Sequence, residues 1–397
     1  MKVGQAIKLL KKAGFIETNQ VGSHKKFQKV ENSILIIYNM NKTEIFAEIV
    51  GHSLSPQEEE LISVLCTFPR IILAELNTHR MLSKNTSSSR AIPFNKMVET
   101  IKNDPFIPMA WQKEHKGMQG SDYFQTENGE NIHKLTEGWS QARDTAIQIA
   151  QGLNNSGVTK QLCNRLLEPF MWTTMLITGS REGWDNFHFL RNPIYEIDLD
   201  NLDNLKRFSS RKEVTEFLTT KEIDTSNWSE EKWLSINKGQ AEIHMMMLSE
   251  KIYDAIQESV PIQLKPNEWH IPMISDLESL KLSTDDQIKL SVGRAANTSY
   301  TVVGDGKELS LDQAIKIHNK CKELNHSSVF EHCARAMTNE EYYSFIKGNF
   351  NQEIEIDVDG FIDISTHANN SNSFGYCRNF KGFIPYRYLV DNKLLSL

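Results

Sequence analysis

The stretch Thr78-His79-Arg80-Met81-Leu82-Ser83-Lys84-Asn85-Thr86-Ser87-Ser88-Ser89-Arg90 decides how the rest of this sequence is interpreted. It combines two arginines, a histidine, an asparagine and several hydroxyl side chains with very little aliphatic content. A buried strand or helix needs a polar partner for each such group, so the composition argues against a core element. Guanidinium and hydroxyl donors together suit a phosphate-bearing ligand, and they predict a ligand-binding segment. The alternative is a solvated Ser/Thr loop, although such loops usually carry Gly, Pro or acidic residues.

The pattern H-R-x-x-S-x-N-x-x-S-x-R, from His79 to Arg90, resembles the signature of the flavin-dependent thymidylate synthases (ThyX). That signature is long and its spacing is fixed, so chance seldom produces it. Two positions depart from it: the family usually has Arg where this chain has Thr78, and Glu where it has Thr86. Both positions contact flavin or nucleotide in the family. The resemblance therefore implies a flavin- and nucleotide-binding enzyme with two altered ligand contacts.

Further blocks carry the same resemblance, and they read N-R-x-L-E-P (164–169), W-D-N-F-x-x-L-R (184–191), G-Q-A-E-I (239–243), R-A-A-N-T-S-Y (294–300) and H-S-S-V-F-E-H (326–332). The last two open the compact family members but follow the signature here. This order is that of a circular permutation, which phage-type members of the family share. A fold tolerates it where the original termini lie close together. The resemblance covers roughly residues 45–340.

The resemblance implies a role for each matching position. Arg191 is the implied catalytic residue, because a guanidinium near N3 and O4 of uracil can stabilise negative charge on the ring. Arg191 could instead be a surface arginine paired with a carboxylate. The residues implied to bind deoxyuridylate (dUMP) are Ser87, Ser88, Ser89, Arg90 and Arg165. Those implied to bind the cofactor FAD are Thr78, His79, Arg80, Met81, Asn85, Asn186, His326 and Ser328.

The implied reaction is reductive methylation of dUMP at C5 to dTMP, with methylenetetrahydrofolate and NADPH as co-substrates and hydride from reduced flavin. The implied assembly is a homotetramer whose sites are shared between subunits. Two alternatives stay open. A related flavoenzyme could install another C5 group, such as hydroxymethyl, and Thr78 and Thr86 motivate that choice. An RNA-binding or RNA-cleaving regulator could use residues 1–38, with the remainder an inactive scaffold.

Composition limits the classes of function. The 397 residues allow two or three domains, and a net charge of −7 provides no global positive field for nucleic acid. No apolar run approaches the length of a bilayer span and the N-terminus lacks a signal-peptide core, so we expect a cytoplasmic protein with no membrane partner. The five cysteines lack a C-x-x-C pair, which predicts neither a disulfide framework nor a metal site. Each cysteine is expected to be a small buried hydrophobe.

The N-terminal segment predicts a small helix at 4–13 and two strands, at 15–18 and 26–30. Its run L-L-K-K-A-G-F…G-S-H-K-K-F resembles the start of HicA-type toxin domains, which cleave or bind RNA. In that family the histidine matching His24 is catalytic, whereas the alternative is a surface-turn histidine in an accessory domain. Several lysines would give the segment a basic face that suits RNA.

The predicted fold class is α+β, a ThyX-like fold with a central antiparallel sheet and long helices, plus a small N-terminal α-β-β module. The predicted domains are the module at 1–40, a catalytic domain at 41–340 with an acidic insertion at 194–237, and C-terminal strands at 341–397 that complete the catalytic domain. A strand, a polar helix and a strand are expected from about Phe46 to Pro69. Helices are predicted at 139–153, 158–169 and 239–259, and the segment 378–387 is predicted to add a last strand to the sheet.

Overall fold

The structure, a computed structural model, describes residues 44–116, 120, 122–126, 131–198, 205–300, 309–342, 380–392 and 394. It also describes the backbone of three strands between residues 15 and 37, and the backbone alone at 299 and 300. Helices and sheets are mixed in an α+β arrangement, as predicted. Within these ranges no helix is both long enough and apolar enough to cross a membrane.

The strands of the described residues form four sheets. They are β1 (Phe15–Val21), β2 (His24–Lys29), β3 (Ile34–Ile37), β4 (Phe46–Leu54), β5 (Glu60–Pro69), β6 (Ser83–Thr86), β7 (Trp172–Ser180), β8 (Tyr195–Ile197), β9 (Lys206–Phe208), β10 (Ile262–Gln263), β11 (Trp269–His270), β12 (Ala334–Ala336) and β13 (Phe383–Pro385). The central sheet has the order β10-β4-β5-β7-β6. Its neighbours are antiparallel except β10 and β4, which run parallel, so the predicted antiparallel sheet is mixed at one edge.

The central strand β5 is buried on both faces, because every residue after its first is buried. Such a near-continuous apolar run is typical of a strand covered by structure on each side. On one face Ile62 and Val64 belong to a core that includes Leu248. On the other face Leu65 packs with Ala295. Helices therefore cover the central sheet from two sides.

A turn joins β4 to β5, where the sequence predicted a helix. The Ser55 Oγ accepts hydrogen bonds from the backbone N–H groups of Gln57 and Glu59 at 3.2 and 3.1 Å. Glu58 has a φ of 62°, in the left-handed region that closes tight turns. The helix prediction is wrong because this short polar stretch bonds to its own backbone instead of continuing.

The α-helices of the described residues are α1 (Leu73–Leu76), α2 (Phe94–Asn103), α3 (Ile132–Asn155), α4 (Lys160–Cys163), α5 (Arg181–Arg191), α6 (Arg211–Thr219), α7 (Glu230–Ile236), α8 (Ile243–Gln257), α9 (Asp276–Lys281), α10 (Thr284–Tyr300), α11 (Leu311–Glu323) and α12 (Tyr386–Asp391). Serine side chains cap several of them: Ser180 accepts a hydrogen bond at the start of α5 and Ser210 at the start of α6. The predicted helices at 139–153 and 239–259 are confirmed as α3 and α8. Met245 and Met246 of α8 are buried in the core.

Only the beginning of the predicted helix at 158–169 is α-helical. After α4 the chain tightens into a 3₁₀ segment, Asn164–Phe170, which contains Pro169. Proline has no backbone donor, so it cannot continue an α-helical hydrogen-bond ladder. This 3₁₀ segment carries the N-R-x-L-E-P block.

The acidic insertion folds around its own aromatic core. The ribbon β8–β9 packs with α6 and α7 through Tyr195, Val214 and Trp233. The Tyr195 hydroxyl donates to Glu250 Oε2 of α8 at 3.1 Å, which ties the insertion to the main core. The insertion thus contains two helices and a two-stranded ribbon within the described residues.

The C-terminal segment contributes β13, but to a sheet other than the predicted one. β13 pairs with β12, and β12 pairs with β11, in a separate three-stranded sheet. The reason is packing: Phe380 and Phe383 are buried with Leu61 of β5, so the segment lies against the central sheet instead of bonding to its edge. Residues 378 and 379 of the predicted strand lie outside the described residues.

The N-terminal segment forms an antiparallel sheet of β1, β2 and β3. The two predicted strands are present, and β3 was not predicted. His24 was expected in a turn, but it begins β2. The predicted helix at 4–13 lies outside the described residues. The likeness to a HicA-type domain and the boundary near residue 40 stay predictions.

Candidate functional site

The signature runs from the end of α1 into β6, at the edge of the central sheet. β6 pairs with β7, with Ser83 opposite Thr178 and Asn85 opposite Leu176. Part of the polar stretch is thus a strand, although its composition argued against a core element. An edge strand accommodates this composition because one side bonds to β7 and the other stays open.

Arg191 and His79 meet at the end of α5. Arg191 Nε donates a hydrogen bond to His79 Nε2 at 3.0 Å, and Arg191 Nη1 forms an ion pair with Glu75 Oε1. Phe187, one turn earlier on α5, meets the His79 ring edge-on with ring centroids 5.0 Å apart. The structure therefore brings two predicted site residues into direct contact and adds a carboxylate, Glu75, to them.

The charge states around His79 follow from burial. Burial, together with the positive charges of Arg191 and Lys84, lowers the pKa of His79 to about 4. Burial also lowers the pKa of Lys84 to about 8, against the opposing effect of Glu331. Lys84 Nζ donates to the backbone carbonyl of His79. Near neutral pH, His79 is uncharged while Lys84 and Arg191 carry positive charge.

The end of the signature packs against the 3₁₀ segment Asn164–Phe170. Asn164 Nδ2 donates to the backbone carbonyl of Ser89 at 2.7 Å and to that of Ile92 at 2.9 Å. Ser89 Oγ donates to Glu168, whose carboxylate lies 3.4 Å from Arg70 Nη2. Two blocks that are far apart in sequence are therefore joined by specific hydrogen bonds.

The three serines of the signature differ in what they contact. Ser87 Oγ lies 2.7 Å from Thr173 Oγ1, and the backbone carbonyl of Ser87 accepts from Arg70 Nη1 at 2.8 Å. The Ser87 and Ser89 hydroxyls are thus engaged inside the protein. The intervening Ser88 is half-buried, and its hydroxyl has no hydrogen bond within the part of the chain that the structure describes.

Arg90 and Arg165 are exposed on the two joined segments. Neither guanidinium has an ion pair or hydrogen bond to any residue that the structure describes. The positive charge of Arg165 is close enough to contribute to a lowered pKa of Arg70. Two exposed cations without a described partner, on segments that Asn164 joins next to Ser88, make this part of the surface suitable for an anionic group such as a phosphate.

The blocks with inverted order also reach β6. Helix α10 and the 3₁₀ turn Ser327–Phe330 both contact this strand. Asn85 Nδ2 donates to the backbone carbonyl of Ala295 on α10. His326 and Ser328 are exposed, and their side chains make no hydrogen bond to other described residues. Both blocks therefore contact β6, the strand of the signature, although they follow it in the sequence.

The remaining predicted cofactor residues lie around α1 and α5. Thr78 Oγ1 donates to the backbone carbonyl of Glu75 at 2.7 Å, while Arg80 is exposed. The carbonyl of Met81 lies close to Gly183, where a Cβ would be 3.2 Å from that oxygen. Asn186 is exposed on α5 and has no hydrogen bond among the described residues.

Three charged residues of this region were not predicted from the sequence as site residues: Glu75, Lys84 and Glu168. Lys84 and Glu168 lie inside the quoted motifs, so their charge was visible, but their contacts are not local. Glu75 lies one helical turn before His79, and its acidic side chain was the only available signal. Its partner Arg191 could not be identified by spacing alone.

A chain of buried polar side chains crosses the central sheet near β6. Ser53 Oγ lies 2.9 Å from His270 Nδ1, and His270 Nε2 lies 2.8 Å from Ser63 Oγ. Ser63 Oγ lies 2.6 Å from Thr178 Oγ1, which lies 2.9 Å from His332 Nδ1. Burial lowers the pKa of both histidines to about 3. His332 Nε2 is buried without a hydrogen-bond partner among the described residues.

The cysteines of the described ranges, Cys66, Cys163, Cys321 and Cys333, are buried, as expected. Burial raises the pKa of Cys333 to about 12 and also raises that of Cys321. Cys377 lies outside the described residues. Within the described ranges no group of three His, Cys, Asp or Glu side chains is arranged to hold a metal ion.

No protein-family model matches this chain, and no curated protein matches it. Among solved structures, it is similar to a UMP/dUMP methylase, PolB from Streptomyces cacaoi, bound with 5-Br UMP. That pair shares 15% identity over 55% of this chain and 90% of the other, with a TM-score of 0.36. The same enzyme bound with 5-Br dUMP gives 13% identity over 55% and 92%, with a TM-score of 0.35. Superpositions this loose carry no argument about function.

Proposed function

We propose that this protein is an FAD-dependent thymidylate synthase that methylates C5 of dUMP, with methylenetetrahydrofolate and NADPH as co-substrates. One observation carries the proposal. Four of the five further blocks that resemble the ThyX family contact β6 or the segments next to it, although they are separated in sequence and permuted in order. The fifth block, residues 239–243, packs instead with Tyr123 and Leu234. A fold without a ligand site at β6 would not be expected to bring these separate blocks together.

The phosphate of dUMP is assigned to the corner formed by Ser88, Arg90 and Arg165. Arg90 and Arg165 are exposed and have no ion-pair partner among the described residues, so binding a phosphate requires neither side chain to give up an existing ion pair there. Glu168 does not compete for these cations, because it bonds to Ser89 and pairs with Arg70. The hydroxyls of Ser87 and Ser89 are hydrogen-bonded inside the protein, so we assign these two residues a role in stabilising the loop.

Arg191 is assigned to the uracil ring. Its Nε and Nη1 are held by His79 and Glu75, while Nη2 makes no hydrogen bond to a described residue. A guanidinium held at two nitrogens is oriented, and the third nitrogen can donate to a carbonyl oxygen where negative charge develops. Pairing with a carboxylate was the alternative role for Arg191. In this assignment the ion pair with Glu75 orients Arg191 instead.

FAD is assigned to the region between α5 and the turn Ser327–Phe330. The residues present fit a polar cofactor, because Asn186, His326 and Ser328 have unused donors and acceptors and the buried His332 Nε2 lacks a described partner. FAD would supply the hydride for the reduction. The protein supplies orientation of the ligands and the positive charges of Arg191 and Lys84. A homotetramer with sites shared between subunits is part of the proposal, since exposed ligand residues need a second surface to enclose the ligands.

A second candidate, a flavoenzyme that installs a different C5 group such as hydroxymethyl, is favoured by Thr78 and Thr86. Thr78 Oγ1 bonds to the backbone of α1, and Thr86 Oγ1 lies 3.2 Å from the carbonyl of Thr174 on β7. Both hydroxyls are thus engaged where the resembled family has charged ligand contacts. A regulator led by the N-terminal segment is the remaining alternative, and a cytoplasmic location is our expectation for any of the three.

Product analysis tests this proposal. The full-length protein is incubated with FAD, NADPH, methylenetetrahydrofolate and dUMP, and the nucleotides are separated and identified by mass spectrometry. Formation of dTMP supports the synthase, and a hydroxymethylated nucleotide supports the second candidate. Unchanged dUMP under these conditions, with the protein folded and FAD bound, contradicts both.

A further inference from the structure

The protonation of His79 follows from the hydrogen bond that it makes. Arg191 Nε can only donate, because a guanidinium has no acceptor. His79 Nε2, 3.0 Å away, must therefore accept and carry no proton. A neutral imidazole holds one proton, which then resides on Nδ1. The His79 Nδ1 has no hydrogen-bond partner among the residues that the structure describes.

The two cations near His79 oppose a positive charge on its ring. Arg191 approaches from α5 and Lys84 from β6, and both are cationic near neutral pH. Phe187 covers the ring with an edge-on contact. The nearby carboxylate of Glu75 is paired with Arg191 instead of with the imidazole. The ring is therefore kept neutral, and it cannot take up a proton as a general base without being charged between two cations.

We propose that Glu75, acting through Arg191, holds His79 as the neutral tautomer with its proton on Nδ1, so that His79 donates a hydrogen bond to the ligand. The ligand atom is of the acceptor class, a carbonyl oxygen or an unprotonated ring nitrogen. The ligand part of this inference rests on the proposed function, because flavin and uracil rings both carry such acceptors. Glu75 is a positioning residue, and it acts on the ligand only through Arg191 and His79.

Nuclear magnetic resonance of the ligand-free protein tests the tautomer directly. Full-length protein with ¹⁵N-labelled histidine gives separate signals for the two ring nitrogens, and the His79→Gln variant identifies those of His79. We expect an unprotonated Nε2 and a protonated Nδ1 from pH 8 down to pH 5. Signals of an Nε2-protonated ring, or of an imidazolium at pH 7, would overturn the inference.

The Glu75→Gln variant tests the positioning role. It should convert the single His79 tautomer into a mixture, because Arg191 loses the carboxylate that orients it. Glu60→Gln is the matched control, since Glu60 Oε2 lies 3.4 Å from Arg181 at the opposite end of the same helix. The control should leave the His79 signals unchanged. A single Nδ1-protonated tautomer that persists in Glu75→Gln would overturn the role of Glu75.

A binding measurement separates this inference from the proposed function. In Glu75→Gln the affinity for FAD or for dUMP should fall about threefold to tenfold, as expected for one misdirected neutral hydrogen bond. Unchanged affinities for both ligands would overturn the ligand contact. If the wild-type protein shows the Nδ1 tautomer but binds neither FAD nor dUMP, the proposed function and the ligand contact fail, and the tautomer assignment is supported.

Discussion

Replacing Ser88 or Arg90 by alanine is expected to weaken dUMP binding without unfolding the protein, whereas Ser89→Ala is expected to destabilise the fold. The three residues are consecutive, but their environments differ. Arg90 is exposed and Ser88 is half-buried, and neither side chain has a hydrogen bond to a described residue. Ser89 is 2% exposed, and its hydroxyl donates to Glu168.

The magnitudes follow from these contacts. A hydrogen bond to a charged group contributes about 1.5–3 kcal/mol, so loss of a phosphate contact should reduce dUMP affinity about tenfold to a hundredfold. Surface side chains without partners change the free energy of unfolding by less than about 0.5 kcal/mol. Ser89→Ala removes a hydrogen bond to the half-buried carboxylate of Glu168, and losing a hydrogen bond to a charged group costs about 1–3 kcal/mol.

The assay is a dUMP titration followed by the flavin absorbance, with urea unfolding on the same samples. Arg207→Ala is a control, because Arg207 is an exposed arginine of the insertion that pairs with Glu196. FAD affinity should change less than dUMP affinity in Ser88→Ala and Arg90→Ala. Unchanged dUMP affinity in both variants would show that this hydroxyl-rich loop is structural and would refute the phosphate assignment.

Three further predictions concern catalysis, architecture and pH. Arg191→Ala should lower the rate of product formation about 10²–10³-fold with FAD still bound, as measured by turnover and flavin absorbance, and near-normal turnover would refute its role. A protein that begins near residue 40 should stay soluble, bind FAD and consume dUMP, so loss of flavin binding would show that the N-terminal module belongs to the catalytic architecture. The free energy of unfolding, measured in urea, should fall as the pH drops below about 6.5 toward 3. The reason is that burial keeps His79, His188, His270 and His332 neutral in the folded state, whereas the same histidines take up protons when the chain unfolds. Constant stability from pH 7 to pH 4 would contradict that assignment.

The local elements were predictable from the sequence because their signals are periodic. Helices α3 and α8 show apolar residues at helical spacing, and β5 shows a mostly apolar run interrupted by Ser63 and Thr67. The connection between β4 and β5 was misjudged because polar residues suit both a surface helix and a turn. The hydrogen bonds that the backbone N–H groups of Gln57 and Glu59 donate to the Ser55 hydroxyl stabilise the turn, and hydrophobic periodicity does not reveal them.

The sequence indicated candidate site residues, but it did not indicate which of them contact one another. The motifs named His79 and Arg191, but their contact joins positions 112 residues apart, and no local pattern reveals it. The same limit applies to Glu75, which no motif includes. The distinction between Ser88 and Ser89 likewise depends on the position of Glu168, which only the folded chain brings to the loop.

The absorption spectrum of the purified full-length protein tests whether it is a flavin-dependent enzyme that acts on dUMP. We predict a yellow protein after addition of FAD, with flavin bands that change when dUMP is added and that bleach with NADPH. A folded protein that stays colourless after incubation with FAD, or that binds FAD but shows no response to dUMP or NADPH, would rule out this function.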